Sequence, residues 1–171
     1  MKTLLTTILL AAKLLADMGT LKKVVDGDTL YFHSRGRTIK CRIAYIDTPE
    51  SHRNSRAKRK AGVCAGVTLD RMVEAGKAAT RHAKSIVSVG KSYRFDVRGH
   101  DRYGRAICVV RLPGGEIYNE RMVRDGYAVP FWKHIPSSMK RRYGTLAKEA
   151  KRRHNGLWRE YRPVMECLLR R

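Results

Sequence analysis

Acidic residues are scarce in this sequence: 15 Asp and Glu stand against 37 Lys and Arg in 171 residues. With a formal charge of +22, the positive side chains of one molecule repel each other, so we expect the protein to bind a polyanion. Nucleic acid is the first candidate, because its phosphates release counterions when protein cations replace them. An anionic membrane surface is the second. The charge balance alone says nothing about catalysis.

Cysteine is also scarce, and its spacing matches no metal site. Cys41, Cys64, Cys108 and Cys167 form no CxxC pair, and the histidines show no ligand pattern beside them, which argues against a zinc site. Four thiols are too few for a disulfide scaffold in a chain of this length, although one or two bridges stay open. Cys41 and Cys108 fall in predicted strands, and we interpret them as small buried core residues.

Long hydrophobic runs are missing, so no stretch predicts a conventional transmembrane helix or stable membrane insertion. The apolar run of residues 4–12 follows Lys2, and with Ala16 at its end it resembles a short secretory signal. Lys13 interrupts the run, so a packed or loose N-terminal helix is the alternative. The first interpretation predicts a secreted or periplasmic protein, and the second a cytoplasmic one.

Internal repeats and low-complexity linkers are absent from the sequence, which predicts one domain over residues 19–160. An N-terminal apolar segment (1–18) precedes it and a basic tail (161–171) follows it. Strand patterns cover residues 20–25, 29–33, 38–46, 92–97 and 105–112, and helical patterns begin near Leu69, Asn119 and Ser137. This order predicts an α+β fold: a five-stranded OB-fold-type β-barrel with about three helices. Residues 51–66, rich in cations, are predicted to form an exposed loop.

The few acids are concentrated in two short motifs. Asp26 and Asp28 lie in DGDT between two predicted strands, and Asp47 and Glu50 lie in DTPE. Each motif alone suits an ordinary role, DGDT as a β-turn and DTPE as the start of a helical turn. Together they supply carboxylates for one hard cation and an acceptor for an attacking water.

Two arginines complete this set. A phosphodiesterase needs guanidinium groups where charge builds on the phosphate oxygens. Arg42 lies on the strand that leads to Asp47, and strand alternation places it on the same face as Ala44 and Ile46. Arg105 lies in DRYGR, which by itself indicates a hairpin tip with solvated charges. The sequence therefore predicts that the strand before Asp47 directs a guanidinium and a metal ligand at one site.

Between about residues 20 and 160 the chain carries five separated motifs: VVDGDTL, CRIAYIDTPES, DRYGRAICVV, NERMVRDGYA and GLW. In this order they resemble the staphylococcal nuclease-like (thermonuclease) family. The resemblance implies a sugar-nonspecific, Ca²⁺-dependent nuclease that hydrolyses DNA and RNA and leaves 3′-phosphate ends. It also implies the barrel predicted above, and we expect a monomer.

The resemblance further implies roles for single residues. The expected metal ligands are Asp28, Asp47 and the Thr48 carbonyl, with Asp26 beside them; the catalytic residues are Arg42, Glu50 and Arg105; and the substrate-binding residues are Arg102, Tyr103 and Trp132. Glu50 is expected to act on the attacking water, either as general base or by orienting it.

Two stretches depart from the family pattern. The segment after Glu50 is longer than the family's simplest members require, and its cations are either solvated or follow the phosphate backbone: Arg53, Arg56, Lys58, Arg59 and Lys60. Residues 131–134 (FWKH) stand where the family usually has base-stacking tyrosines. Trp132 is expected either to stack on a base, worth about 1–3 kcal/mol, or to pack on the protein.

A noncatalytic nucleic-acid-binding OB-type module is the alternative function, since some members of the family bind without cutting. Such a module has no need of Asp28, Asp47 and Glu50 together, because without a cation these acids repel phosphate. A basic membrane-surface protein would leave the internal motifs unexplained. The sequence therefore favours the nuclease.

Overall fold

The computed structural model describes residues 17–171. Residues 1–16 lie outside the described residues, so their interpretation as signal or helix stays a prediction. The strands of the described range are β1 Asp17–Asp26, β2 Thr29–Ser34, β3 Arg37–Ile43, β4 Ile46–Asp47, β5 Ser92–His100, β6 Ala106–Arg111 and β7 Val129–Pro130. The α-helices are α1 Ser55–Gly62, α2 Leu69–Ile86, α3 Tyr118–Arg124, α4 Ser137–Arg152, α5 Leu157–Glu160 and α6 Arg162–Leu169.

Five strands close into a barrel in the order β1-β2-β3-β6-β5. All neighbours are antiparallel except β3 and β6, which are parallel. Alternate side chains such as Leu30, Phe32 and Phe95 are buried and fill the interior, as the pleat requires. The predicted α+β fold with a five-stranded barrel is therefore confirmed.

The predicted helices near Leu69, Asn119 and Ser137 correspond to α2, α3 and α4. Asn119 lies within α3 and is buried, where it ties this helix to the barrel. Its Oδ1 accepts the Val110 N–H at 3.1 Å, and its Nδ2 donates to the Ala44 carbonyl at 2.9 Å. This amide therefore fixes the end of β3 against β6.

The prediction of an exposed loop over residues 51–66 was wrong, because the structure has helix α1 there. The Asn54 side chain accepts the Ala57 N–H at 2.8 Å and so caps the helix. Ala57, Lys60 and Ala61 are buried, while Lys58 lies exposed on the other face. The cationic run is thus an amphipathic helix with a lysine on its buried side.

Two disulfides join distant parts of the described chain. Cys41 and Cys108 are buried inside the barrel, as predicted, and are bonded to each other. Cys64, just after α1, is bonded to Cys167 in α6. Helix α6 lies in the stretch expected as a basic tail, and it buries Val164, Met165, Cys167 and Leu168. The proposed domain limits themselves stay a prediction.

None of the helices within residues 17–171 is long and apolar enough to cross a bilayer.

Candidate active site

A tight turn between β3 and β4 brings Arg42 close to Asp47. Tyr45 has a φ of 69°, the left-handed conformation that turns the chain sharply. The Arg42 guanidinium donates to the Ile43 carbonyl at 2.8 Å and to the Ile46 carbonyl at 2.9 Å. Its Nη2 lies 3.4 Å from Asp47 Oδ1. Arg42 therefore holds the turn and aligns the carboxylate that follows it.

Asp28 joins the DGDT turn to the DTPE motif. Its Oδ2 accepts both the backbone N–H and the hydroxyl of Thr48, each at 3.0 Å, and lies 3.3 Å from Arg42 Nη2. Burial by itself raises the pKa of Asp28, but Arg42, Lys60 and the Thr48 hydrogen bonds outweigh it and lower that pKa. Asp28 is therefore an ionised carboxylate beside Asp47.

Asp26 accepts the Asp28 backbone N–H at 3.1 Å. Burial, and then the negative charge of Asp28, raise the pKa of Asp26 to about 7. Asp26 is therefore protonated in slightly acidic solution, next to the ionised Asp28.

Lys60, which the sequence analysis placed only in a charge run, lies at the centre of the site. Its Nζ is 2.9 Å from Asp47 Oδ1, 2.9 Å from the Thr48 carbonyl oxygen and 2.8 Å from Glu50 Oε1. Only 4% of the residue is exposed. Burial lowers the pKa of the Lys60 ammonium, but Asp47 and Glu50 reverse this and raise it. Lys60 is therefore a buried cation.

Glu50 is placed by its backbone as well as by its partners. Its carboxylate oxygen Oε1 forms an ion pair with Lys60 Nζ and lies 3.5 Å from Arg56 Nε. Its backbone runs against Gly76 of α2, where an added Cβ would lie 2.2 Å from the Glu50 carbonyl oxygen. Glycine is therefore what lets α2 approach the Glu50 backbone so closely. The sequence analysis did not single out Gly76, because a glycine inside a helical pattern does not indicate which distant segment packs against it.

The second arginine is held at the end of the β5–β6 hairpin. Arg105 Nη2 lies 2.7 Å from Asp101 Oδ2, and its backbone N–H donates to Asp101 Oδ1 at 3.0 Å. Ile107, two residues later, pairs with Arg42 across β3 and β6. The end of the hairpin that carries Arg105 therefore lies beside the strand that carries Arg42. Asp101, expected as a solvated hairpin residue, thus orients Arg105.

The three residues expected to bind substrate lie in two places. Tyr103 is 65% exposed at the hairpin tip, and Arg102 donates to its hydroxyl at 2.8 Å. The Arg105 guanidinium lies 5.8 Å from the centre of the Tyr103 ring. Trp132 is half-buried, and its indole N–H donates to the Leu169 carbonyl at 3.0 Å. Substrate binding by these residues stays a prediction.

The oxygen donors suit a hard cation such as Ca²⁺, which takes carboxylate and carbonyl oxygens. Two carboxylates and one backbone carbonyl already surround a positive charge, the Lys60 ammonium. Among residues 17–171, no three His, Cys, Asp or Glu side chains are grouped to hold a metal. The residues fit calcium only as a mixed set that includes the Thr48 carbonyl.

The sequence of this chain also matches a known protein family. The model of the family described as "Staphylococcal nuclease homologue" matches residues 40–160. The chain belongs to that family. The match covers the second half of β3, the turn to β4, α1, α2, the β5–β6 hairpin and the helices α3 to α5. Asp26 and Asp28 lie just before the matched range, so the staphylococcal nuclease match itself says nothing of them.

Named relatives of this staphylococcal nuclease homologue resemble it at modest identity. "Endonuclease YhcR" of Bacillus subtilis is 27% identical over 153 residues, which is 86% of this chain and only 12% of that protein. An "Uncharacterized endonuclease" of Escherichia coli is 29% identical, over 85% of this chain and 80% of its own length. The "Thermonuclease" of Staphylococcus hyicus is 25% identical, over 80% of this chain and 72% of its own.

Proposed function

We propose that the chain is a Ca²⁺-dependent, sugar-nonspecific nuclease that hydrolyses phosphodiester bonds of DNA and RNA. One observation carries this proposal: oxygens of Asp47, Thr48 and Glu50 converge on a single cation. That cation is the Lys60 ammonium, and Arg42 lies beside it against Asp47. A purely binding barrel has no use for buried acids that repel phosphate. The endonuclease and thermonuclease names of its relatives support the same conclusion.

The site residues divide the reaction between them. Asp28, Asp47 and the Thr48 carbonyl would hold the calcium ion, which when bound would neutralise charge on the phosphate. Glu50 acts on the attacking water, either by taking its proton or by orienting it. The water oxygen bonds to phosphorus, and the bond from phosphorus to the 5′ oxygen breaks. The 5′ oxygen takes up a proton, which leaves a 5′-hydroxyl and a 3′-phosphate.

Two arginines bind the charge that builds on the phosphate oxygens. Arg42 is fixed by backbone carbonyls and by both aspartates, so its guanidinium is oriented before substrate arrives. Arg105 is oriented by Asp101 at the end of the β5–β6 hairpin. Preorganised donors of this kind are typically worth about 10²–10³ in rate each.

Cleavage of labelled single-stranded DNA and RNA by the purified protein tests the proposal. Calcium should permit cleavage, excess chelator should abolish it, and the new 3′ ends should become extendable only after phosphatase treatment. Binding without cutting in every condition would instead favour the noncatalytic module. Products with 3′-hydroxyl ends would overturn the proposed position of bond breakage.

A further inference from the structure

Lys60 occupies the point around which the expected metal ligands gather. Its three contacts, at 2.8–2.9 Å, take up the three N–H donors of an ammonium group. Asp47 and Thr48 are expected metal ligands, and Glu50 is the expected acid for the water. A calcium ion bound to these same oxygens would lie within a few ångströms of Nζ, so the two cations exclude each other.

The position of Lys60 follows from the fold. Helix α1 is capped by Asn54 and buries Ala57 and Ala61 on the same side as Lys60. Two residues beyond the helix, the bond from Cys64 to Cys167 fastens it to α6. The backbone of α1 is therefore anchored, and a change at this site has to come from the Lys60 side chain.

The charge balance favours exchange of the ammonium for a divalent ion. Among the buried side chains, the carboxylates of Asp28, Asp47 and Glu50 face two cations, Arg42 and Lys60. Arg56 also lies 3.5 Å from Glu50, but its side chain is 41% exposed and its charge is screened by water. Replacing the single charge of Lys60 by a double charge makes the buried part of the cluster neutral. A buried cluster is more stable when its charges balance.

We propose that Lys60 is a tethered competitor of calcium: its ammonium holds the oxygens of Asp47, Thr48 and Glu50 and must leave before the metal binds. This inference rests on the proposed function, because it concerns the same metal site. The apparent calcium affinity is then the intrinsic affinity multiplied by the fraction of molecules in which the ammonium is displaced. Lys60 thus sets the calcium concentration at which the site is assembled.

Calcium titration of Lys60→Met by calorimetry, without nucleic acid, tests the competition. If Lys60 holds the oxygens nine-tenths of the time, its removal strengthens calcium binding roughly tenfold. Lys58→Met is the matched control, because it removes the same charge from an exposed position on the same helix and should change the affinity less than twofold. Equal or weaker calcium binding by Lys60→Met overturns the proposal.

Loss of Lys60 leaves buried carboxylates unpaired, so the variant is also expected to melt at a lower temperature in chelator. Calcium should then raise its melting temperature more than it raises that of the unaltered protein. An equal rise in both proteins would contradict the competition.

The unaltered protein offers a test that does not depend on the variant's folding. Amine acylation followed by mass spectrometry should leave Lys60 unmodified in chelator, because it is only 4% exposed, and should modify it in calcium. Lys58 should react equally in both conditions. Protection of Lys60 that persists in saturating calcium overturns the displacement.

The outcomes separate this inference from the proposed function. Calcium-dependent cleavage with unchanged affinity in Lys60→Met removes only the role of Lys60. Absence of calcium binding in both proteins removes the calcium site and the competition together.

Discussion

Gly76→Ala should disable the site by displacing Glu50. The added Cβ would lie 2.2 Å from the Glu50 carbonyl oxygen and 2.5 Å from the Ser51 nitrogen. Both are backbone atoms, so the Glu50 segment has to move by roughly 1 Å to reach ordinary contact distance. A displacement of this size at a catalytic group costs about 10²-fold in rate.

The same substitution acts on stability in two directions. Overpacking costs about 1–3 kcal/mol, while the change from glycine to alanine inside a helix contributes up to about 1 kcal/mol. We therefore expect Gly76→Ala to fold with a modest net loss of unfolding free energy. Its catalytic defect should greatly exceed that loss.

The assay compares cleavage rate and urea denaturation for Gly76→Ala and Gly62→Ala. Gly62 also lies in a helix, but an added Cβ there meets nothing within 4 Å, so this control should retain its activity. A Gly76→Ala protein that cleaves DNA at the normal rate would refute the placement of Glu50 by α2.

Three further predictions follow from the site and the charge. Arg105→Ala should lower turnover by about 10²–10³-fold and leave the far-ultraviolet circular dichroism spectrum unchanged. Arg98→Ala, which alters an exposed arginine of β5, should keep the normal turnover. Equal rates in the two variants would disprove the role of Arg105. The affinity for single-stranded DNA can be measured by fluorescence anisotropy in chelator, and its logarithm should fall steeply and linearly with the logarithm of the salt concentration. A flat response would mean that the basic residues behind the +22 charge do not contact the DNA. Burial and Asp28 raise the pKa of Asp26 to about 7. The proton on Asp26 therefore stabilises the fold fully below the unfolded pKa near 3.8, and this stabilisation is lost as the pH rises through 7. In chelator, the melting temperature of Asp26→Asn minus that of the unaltered protein should therefore increase from about pH 4 to pH 7, and a constant difference would contradict the raised pKa.

Local patterns were sufficient to predict the barrel and its three main helices. Alternation in β2 and β3 follows directly from the pleat, and the helical spacing from Leu69 onward is long enough to be unambiguous. The acids of DGDT and DTPE do lie together, because the Thr48 N–H and hydroxyl bind Asp28. These predictions depended on residues that are close in sequence or belong to strongly periodic segments.

Helix α1 was not predicted because residues 51–66 were interpreted from their many positive charges and not from the helical spacing of their buried positions. Ala57, Lys60, Ala61 and Cys64 recur at the spacing of one helix face, and this pattern was available in the sequence. The cations on the other positions suggested a solvated loop instead. The spacing predicts the helix, but not that its buried lysine reaches Asp47 and Glu50.

Contacts between distant segments were beyond sequence reasoning. The partner of Cys64 is Cys167, 103 residues away, and no local pattern indicates that pairing. Asp101 and Gly76 matter only because of what they touch in the folded chain. Their roles become visible when the hairpin and α2 are placed against the site.

The most direct test of the proposed nuclease site is the initial rate of single-stranded DNA cleavage in calcium by Glu50→Gln. Glu149→Gln, which alters an exposed acid of α4, is the matched control. If Glu50 acts on the attacking water, its rate should fall by about 10²–10⁴-fold while the control keeps the full rate and chelator stops every protein. A Glu50→Gln variant that cleaves DNA as fast as the control would contradict the assignment of this site.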